Sequence, residues 1–414
     1  MKKVLFWSAA VLAASMSALS AKIYFTGTCD KDALSYKCGE PMVFSVSLKE
    51  DGKALDGKKV RYIRSGDDGV VDEGTFVSDA NRPFVYKTSI DKAGFVRLRM
   101  ILLDDKGMPV KDADKYEGGA CADFDKLEQA TPEPKDFDKY WKARKRALKK
   151  VPMEAKLTPF PCPQWPNVEF YTFEITSLGD PVKGYLCIPK GAKEKSLPAA
   201  AVFGGYGVYD MHHWPVGGQI TIFVSAHSIE MGREKAFYDD LDKGALKGFG
   251  FEKELAKPQD SYFDKMLLRD LRALEYIRMR PEWNGKDLSV SGGSMGGFQA
   301  VAMAALDKKV TDCRSGITWM CDISGNDHGR LNGWRPKYLP ARGYFDSVNF
   351  AKRIKCPVRI DAGLGDYVCP PSGVSVLYNN ITAPKQITFT QGRTHTYNPA
   401  ESPATYVRSN GIEK

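Results

Sequence analysis

Residues Asp287 to Leu306 read DLSVSGGSMGGFQAVAMAAL: a strand-like run, one serine among four glycines, and then a stretch of good helix formers. Gly292-Gly293-Ser294-Met295-Gly296 matches G-x-S-x-G, a pattern that has structural meaning where a strand turns sharply into a helix, and both flanks here meet that condition. Such a turn needs unusual dihedrals at the serine and leaves no room for side chains beside it, so glycines flank it. It commits this part of the chain to a strand, a tight turn and a helix, the unit from which α/β sheets are built. The serine hydroxyl then stands at the positive end of a helix, where negative charge is favoured.

A serine hydroxyl is a poor nucleophile at neutral pH. It needs an imidazole to take its proton and an acid to hold that imidazole in one tautomer. The chain has five histidines. On this kind of scaffold the order along the chain is serine, acid, histidine. His227 and His328 precede the expected acid, and His212 and His213 sit in a loop, which leaves His395 in QGRTHTY, just after the last expected strand. The acid comes from IDAGLGDYVCPPS: Asp366 lies in the loop after the strand PVRIDAG, whereas Asp361 is still inside that strand and reads as a core or edge aspartate. Ser294, Asp366 and His395 are the candidate catalytic residues. A tetrahedral oxyanion needs preorganised donors, and the backbone amides of Met295 and of Tyr206, in the loop Gly204 to Gly207 (GGYG), are the candidates. His212 and His213 lack carboxylate or cysteine company, so they are expected beside Trp214 at a pocket mouth, with no metal and no cofactor.

The first 21 residues, MKKVLFWSAAVLAASMSALSA, have the two lysines, short apolar run and small-residue end of a cleaved secretory signal, so the expected location is secreted or periplasmic. No later segment is apolar enough to span a bilayer. Loss of Lys2 and Lys3 lowers the formal charge from +9 to about +7. That excess is mild, and the basic run KARKRALKK reads as the solvated face of one helix, so neither nucleic acid nor membrane is an expected partner. Association into a homo-oligomer stays open. Nine cysteines in an exported chain permit disulfides, with Cys29, Cys38 and Cys121 as candidates for a bridge and Cys187 as a small buried hydrophobe.

Between Lys22 and Asp123, segments such as MVFSVSL and FVRLRM alternate apolar and polar residues, and Asp51-Gly52, Asp56-Gly57 and Asp68-Gly69 mark turns. Period two without helical period predicts a small immunoglobulin-like β-sandwich over 22–128. The proline-containing LEQATPEPKDF then leads into an amphipathic helix carrying Phe137, Tyr140, Trp141 and Leu148. Beyond it strands and helices alternate, which predicts a mostly parallel α/β sheet with flanking helices, the α/β-hydrolase fold, over 129–414. One helix, Tyr262 to Arg280, places Phe263, Met266, Leu267, Leu271, Leu274 and Ile277 on a single buried face.

Several separated stretches resemble the acetyl xylan esterase and cephalosporin C deacetylase family of α/β-hydrolases: DFDKYW (Asp136 to Trp141), GGYG, GGSMGG, CDI (Cys321 to Ile323), the segment Tyr344 to Ser372, and YNN and APK between Tyr378 and Lys385. The chain departs from that family's pattern at Gly204 or Gly205, where a histidine is frequent, and at Met295, where glutamine is frequent. The resemblance implies serine-dependent removal of acetyl groups from acetylated oligo- or polysaccharides, and it supports Ser294 and Asp366 in their roles. Two other readings compete: a serine peptidase of the prolyl oligopeptidase type, for which about a hundred upstream residues are too few to build a propeller, and a non-catalytic carbohydrate-binding protein on a hydrolase scaffold.

Overall fold

In MVFSVSLKE the side chains of Met42, Phe44, Val46 and Leu48 are buried while their neighbours are not, so strict alternation yields a half-buried strand. The computed structural model describes residues 22–111, 113–399, 401 and 403–413; the expected leader over 1–21 lies outside them. Eight strands come first: β1 (Ile23–Cys29), β2 (Met42–Glu50), β3 (Lys53–Ala54), β4 (Lys59–Gly66), β5 (Asp72–Val77), β6 (Phe84–Thr88), β7 (Gly94–Leu102) and β8 (Tyr116–Ala122). They form two antiparallel four-stranded sheets, one with β2 between β1 and the pair β3 and β6, the other in the order β5-β4-β7-β8. Each expected Asp-Gly turn has its glycine at positive φ, 83° at Gly52, 69° at Gly57 and 76° at Gly69. All nine cysteines carry free thiols. The bridge considered among Cys29, Cys38 and Cys121 is absent: Cys121 is buried, Cys38 is exposed, and Cys29 turns its sulfur toward the Gly119 carbonyl.

The second part contains α1 (Phe137–Lys149), β9 (Ala155–Pro159), β10 (Val168–Ser177), β11 (Gly179–Pro189), β12 (Leu197–Phe203), β13 (Ile220–Val224), α2 (Lys235–Lys243), α3 (Tyr262–Ile277), β14 (Trp283–Gly293), α4 (Met295–Leu306), β15 (Asp312–Gly316), α5 (Ser347–Ala351), β16 (Val358–Gly363), α6 (Pro371–Asn380), β17 (Lys385–Thr390) and β18 (Thr405–Asn410). Its strands make one ten-stranded sheet in the order β18-β17-β16-β15-β14-β12-β13-β11-β10-β9. From β13 to β17 the neighbours are parallel, and antiparallel strands close both ends. This is the α/β-hydrolase fold, preceded by a small β-sandwich.

Helix α3 lies on β10 to β13, α4 on β12, β14 and β15, and α6 on β16 and β17, while α1 packs on α3 and α5 bridges α4 and α6. The apolar halves of the strands face this layer. In β16, Val358, Ile360 and Ala362 are buried while Arg359 and Asp361 are exposed on the other face. Arg314, Gln386 and Thr388 join that polar face, which opens into a cavity of about 660 Å³. Over β15 to β17 the parallel region is therefore one-sided, unlike β13, whose near-continuous apolar run is buried on both faces.

The expected apolar face of α3 is buried in full, but the helix ends at Ile277, three residues early, in a turn that leads to Pro281. Asp264, Arg269, Asp270 and Arg272 on the same helix are buried as well. Asp264 accepts hydrogen bonds from the Tyr140 hydroxyl (2.5 Å) and from Arg144, through Nε (2.9 Å) and Nη2 (2.5 Å), and Lys145 donates to the Leu306 carbonyl. Part of the basic run in α1 is therefore not a solvated face; it fastens α1 to the helix layer. Replacing Asp264 by Ala leaves an uncompensated, largely buried guanidinium, so Asp264→Ala is expected to lower stability by about 3–5 kcal/mol, read from urea unfolding.

Candidate active site

Strand β14 and helix α4 meet at Ser294, whose backbone sits at φ 58°, ψ −119°, a conformation that side chains rarely adopt. The glycines around it are not equivalent. A Cβ on Gly292 would run into the backbone of Gly296, and one on Gly296 into the Phe203 carbonyl, whereas one on Gly293 would come no nearer than 4.0 Å to the Gly316 carbonyl oxygen. Strand and helix touch at the two outer glycines of the pattern, and the middle one has space. The Ser294 N–H donates to the Gly316 carbonyl (2.9 Å), and its own carbonyl accepts from Trp319 (3.1 Å) and Phe298 (3.1 Å).

The fold brings the three distant candidates together at one edge of the sheet. Asp366 follows β16 and His395 follows β17, so two parallel neighbours deliver the acid and the imidazole to the same end as the serine. The His395 Nδ1–H donates to Asp366 Oδ2 (2.9 Å), and Nε2 accepts from the Ser294 hydroxyl (3.1 Å), the tautomer in which the imidazole can take the serine proton. The other carboxylate oxygen of Asp366 accepts from the amides of Val368 (3.0 Å) and Cys369 (2.9 Å), and the residue is only 1% exposed. Four lone-pair directions are thus largely occupied, and the carboxylate has one orientation.

The loop after β12 is fastened through its carbonyls. Gly204 C=O accepts from the Gln299 amide (2.9 Å), Gly205 C=O from the Tyr209 hydroxyl (3.1 Å) and Gly207 C=O from His227 Nε2 (2.9 Å). In a trans peptide the N–H points opposite to the C=O, so anchoring Gly205 C=O aims the Tyr206 N–H the other way. Neither that N–H nor the Met295 N–H at the start of α4 has a protein acceptor among the described residues. The Tyr206 side chain packs away from them, stacked on Phe249 with ring centroids 4.1 Å apart, and edge-on to Trp334. Trp334, 44% exposed, is tied by its N–H to the Val368 carbonyl beside the acid (3.1 Å).

His227 is a buried structural histidine. Burial, helped by the charge of Arg269, pushes its pKa down from 6.5 to about 4, and its Nδ1 meets the Tyr262 hydroxyl at 2.5 Å. His212 and Trp214 line the 660 Å³ cavity, which reaches Gly204, Gly205 and Gly293, while His213 stacks against Tyr185 at 3.9 Å. Asp361 pairs with Arg393 (2.5 Å). Asp366, Cys369 and His395 bring possible metal-ligand atoms within 4.8 Å of one another, but the carboxylate and both ring nitrogens are already engaged as described, and burial raises the Cys369 thiol well above its ordinary pKa. Sequence reasoning passed over Gln299 and Tyr209, and it weighed His227 only as a catalytic base, not as an anchor of this loop. Gln299 did leave a signal, as the one polar side chain in the apolar helix GFQAVAMAAL.

A sequence model described as acetyl xylan esterase (AXE1) matches residues 122–325 and 336–408, about two thirds of the chain. The chain belongs to this family. It is a carboxylic ester hydrolase. Acetyl esterase Axe7A of Xylanibacter ruminicola is 26% identical over 426 positions that cover 95% of this chain and 93% of that protein, so the similarity extends over the sandwich. Two solved structures share the hydrolase fold: the acetyl xylan esterase from Paenibacillus sp. R4, with TM-score 0.56, 20% identity and coverage of 67% of this chain and 94% of that one, and acetyl xylan esterase 1 from Thermoanaerobacterium sp. JW/SL YS485, with TM-score 0.54, 23% identity and coverage of 67% and 93%.

Two outcomes follow from the geometry. Gly296→Ala is expected to cost on the order of 1–3 kcal/mol or more by overpacking and to abolish turnover, while Gly293→Ala stays folded within about 1 kcal/mol; thermal melts and nitrophenyl acetate assays of both check this. His227 titrates near 6.5 in the unfolded chain but only near 4 when folded, so the unfolded state binds the proton first and stability falls as pH drops from 6.5 toward 4. His227→Gln is expected to remove a pH-dependent loss on the order of 3 kcal/mol over that window, measured as urea midpoints of both proteins at several pH values.

Proposed function

We propose that the chain removes acetyl groups from acetylated oligo- or polysaccharides through an acyl-enzyme, with Ser294 as nucleophile, His395 as general base and acid, Asp366 as its orienting partner, and the Tyr206 and Met295 amides as oxyanion donors. The observation that carries this reading is the unbroken hydrogen-bond chain from the Ser294 hydroxyl through both nitrogens of His395 to Asp366. Family membership and the acetyl-esterase names of the relatives support acetate as the acyl group.

Ser294 Oγ attacks the ester carbonyl as His395 Nε2 takes its proton. Asp366 steadies the resulting imidazolium, and negative charge collects on the carbonyl oxygen. Two N–H groups held in advance stabilise that charge without having to reorient, which is the advantage of fastening the loop after β12 by its carbonyls. His395 then gives its proton to the departing sugar oxygen as the C–O bond breaks, leaving acetyl-Ser294. Water, deprotonated by the same nitrogen, attacks the acyl carbon, and the proton returns to Oγ as acetate leaves. The leader expected over 1–21 fits an enzyme that meets polysaccharide outside the cytoplasm.

Ser294→Ala is expected to lower kcat on nitrophenyl acetate by about 10⁴-fold or more, with the fold intact by circular dichroism. A variant as fast as the parent would refute the assignment. Acetate release from acetylated xylo-oligosaccharides, measured beside non-sugar acetates, tests the substrate class.

A further inference from the structure

We infer that the N-terminal sandwich is a working part of the esterase centre, with Gln391 as a positioning residue that, together with Arg97, holds the loops of His395 and Asp366 against strand β8. This inference rests on the triad reading above and adds to it a role for the first hundred residues.

Gln391 leaves β17 four residues before His395 and is 1% exposed. Its amide makes a two-way clasp on one residue of the sandwich: Oε1 accepts from the Gly119 N–H (2.9 Å) and Nε2 donates to the Gly119 C=O (3.0 Å). Glu117-Gly118-Gly119 is shaped for this. A Cβ on Gly118 would strike the Gln391 side chain and the Tyr116 hydroxyl, so a side chain there excludes the clasp.

The acid loop docks on the same strand. Gly365, immediately before Asp366, lies so close to the Glu117 carbonyl that a Cβ there would collide with it. On the far side of Asp366, the Tyr367 ring lies under the Arg97 guanidinium, 4.0 Å from its centroid, and Arg97 is ion-paired with Glu117. Arg97 and Gly119 face each other across the β7–β8 ladder, so one cross-strand pair touches both loops. The loops are tied to each other as well, since the Gly365 N–H donates to the Arg393 carbonyl (3.0 Å) two residues before His395.

The hydrolase sheet delivers Ser294 on a rigid strand-to-helix turn, but it delivers Asp366 and His395 on loops, and loops alone are looser supports for groups that must align within a fraction of an ångström. Strand β8, hydrogen-bonded along β7, supplies a rigid wall. A misplacement of about 1 Å costs on the order of a hundredfold in rate.

The experiment uses the full chain. Gln391→Met keeps the side chain's length and volume while removing both bonds to Gly119 and the weaker donation to Cys29 Sγ (3.4 Å), also in the sandwich; Arg97→Lys keeps the charge beside Glu117 but loses the flat stack on Tyr367. Asp32→Asn serves as control, because it weakens another sandwich contact, the Arg408–Asp32 pair (2.9 Å), which lies on β18 and not on either loop. Active sites are counted by the final stoichiometry of fluorophosphonate labelling, and kcat is expressed per labelled site, so loss of folded protein does not register as loss of rate. For Gln391→Met and Arg97→Lys, kcat per site and the labelling rate are expected to fall together by about ten- to a hundredfold, with KM for nitrophenyl acetate changed by less than about threefold and Asp32→Asn like the parent. An active parent whose two loop-clasp variants keep kcat per site within about twofold, or whose control falls as far as they do, overturns the positioning role and leaves the esterase reading in place. A parent that neither turns over nor is labelled at Ser294 overturns both. Should one variant fail to fold, the other carries the same comparison.

Discussion

Strand β14 and helix α4 touch backbone to backbone at Gly292 and Gly296, and the rest of the centre depends on that contact. With no Cβ between them, the chain reverses within one residue, and Ser294 is held at φ 58° with its amide on Gly316 and its carbonyl at the first turn of the helix. Strain of this kind, of order 1–3 kcal/mol, persists only where surrounding structure over-determines it. Here the determination comes from four directions: strands β12 and β15 on either side, the apolar helix α4 behind, and Trp319 in front.

Once the serine is fixed, the acid, the imidazole and the Tyr206 amide arrive on loops, and groups that do no chemistry themselves fasten those loops. Gln299, Tyr209 and His227 hold three carbonyls of the loop after β12 and so orient its amides. The amides of Val368 and Cys369 hold Asp366. Preorganisation is therefore distributed: donors and acceptors are locked before substrate arrives, and the protein does not have to reorganise while charge develops. The low pKa of His227 is set by its burial and is opposed by the bond to the Gly207 carbonyl, which favours a protonated ring.

The large sheet is unusual in covering only one face of its parallel region with helices. Arg359 and Asp361, flanked by Arg314 and Thr388, replace the apolar residues that a second helix layer requires, and their ion pairs, Arg359 with Asp312 (2.6 Å) and Asp361 with Arg393 (2.5 Å), suit a face in contact with water. The sandwich meets the sheet at its β17–β18 edge, where Phe95 of β7 packs against Phe389 of β17 and Asp32 pairs with Arg408 of β18.

Much of this was legible in the chain. Alternation in MVFSVSL and FVRLRM, the glycine pattern about Ser294, and the order serine, acid, histidine are local or ordinal properties, readable because a two-residue period, a missing Cβ and chain direction act without knowledge of distant neighbours. Strands β13 and β15 were not anticipated: ITIFV is a short, wholly buried run, and DCRSG has almost no strand character of its own and pairs because β14 and β16 flank it. The salt-linked burial of Arg144 in a run that looked solvated has the same origin, since Asp264 lies 120 positions away. Sequence by itself determined which residues are apolar, where the backbone can bend sharply, and which side chains have the chemistry to react. Only the tertiary structure decided which of them meet, because hydrogen bonds such as His395 to Asp366 or Gln391 to Gly119 act over about 3 Å and depend on loops that chain order cannot orient.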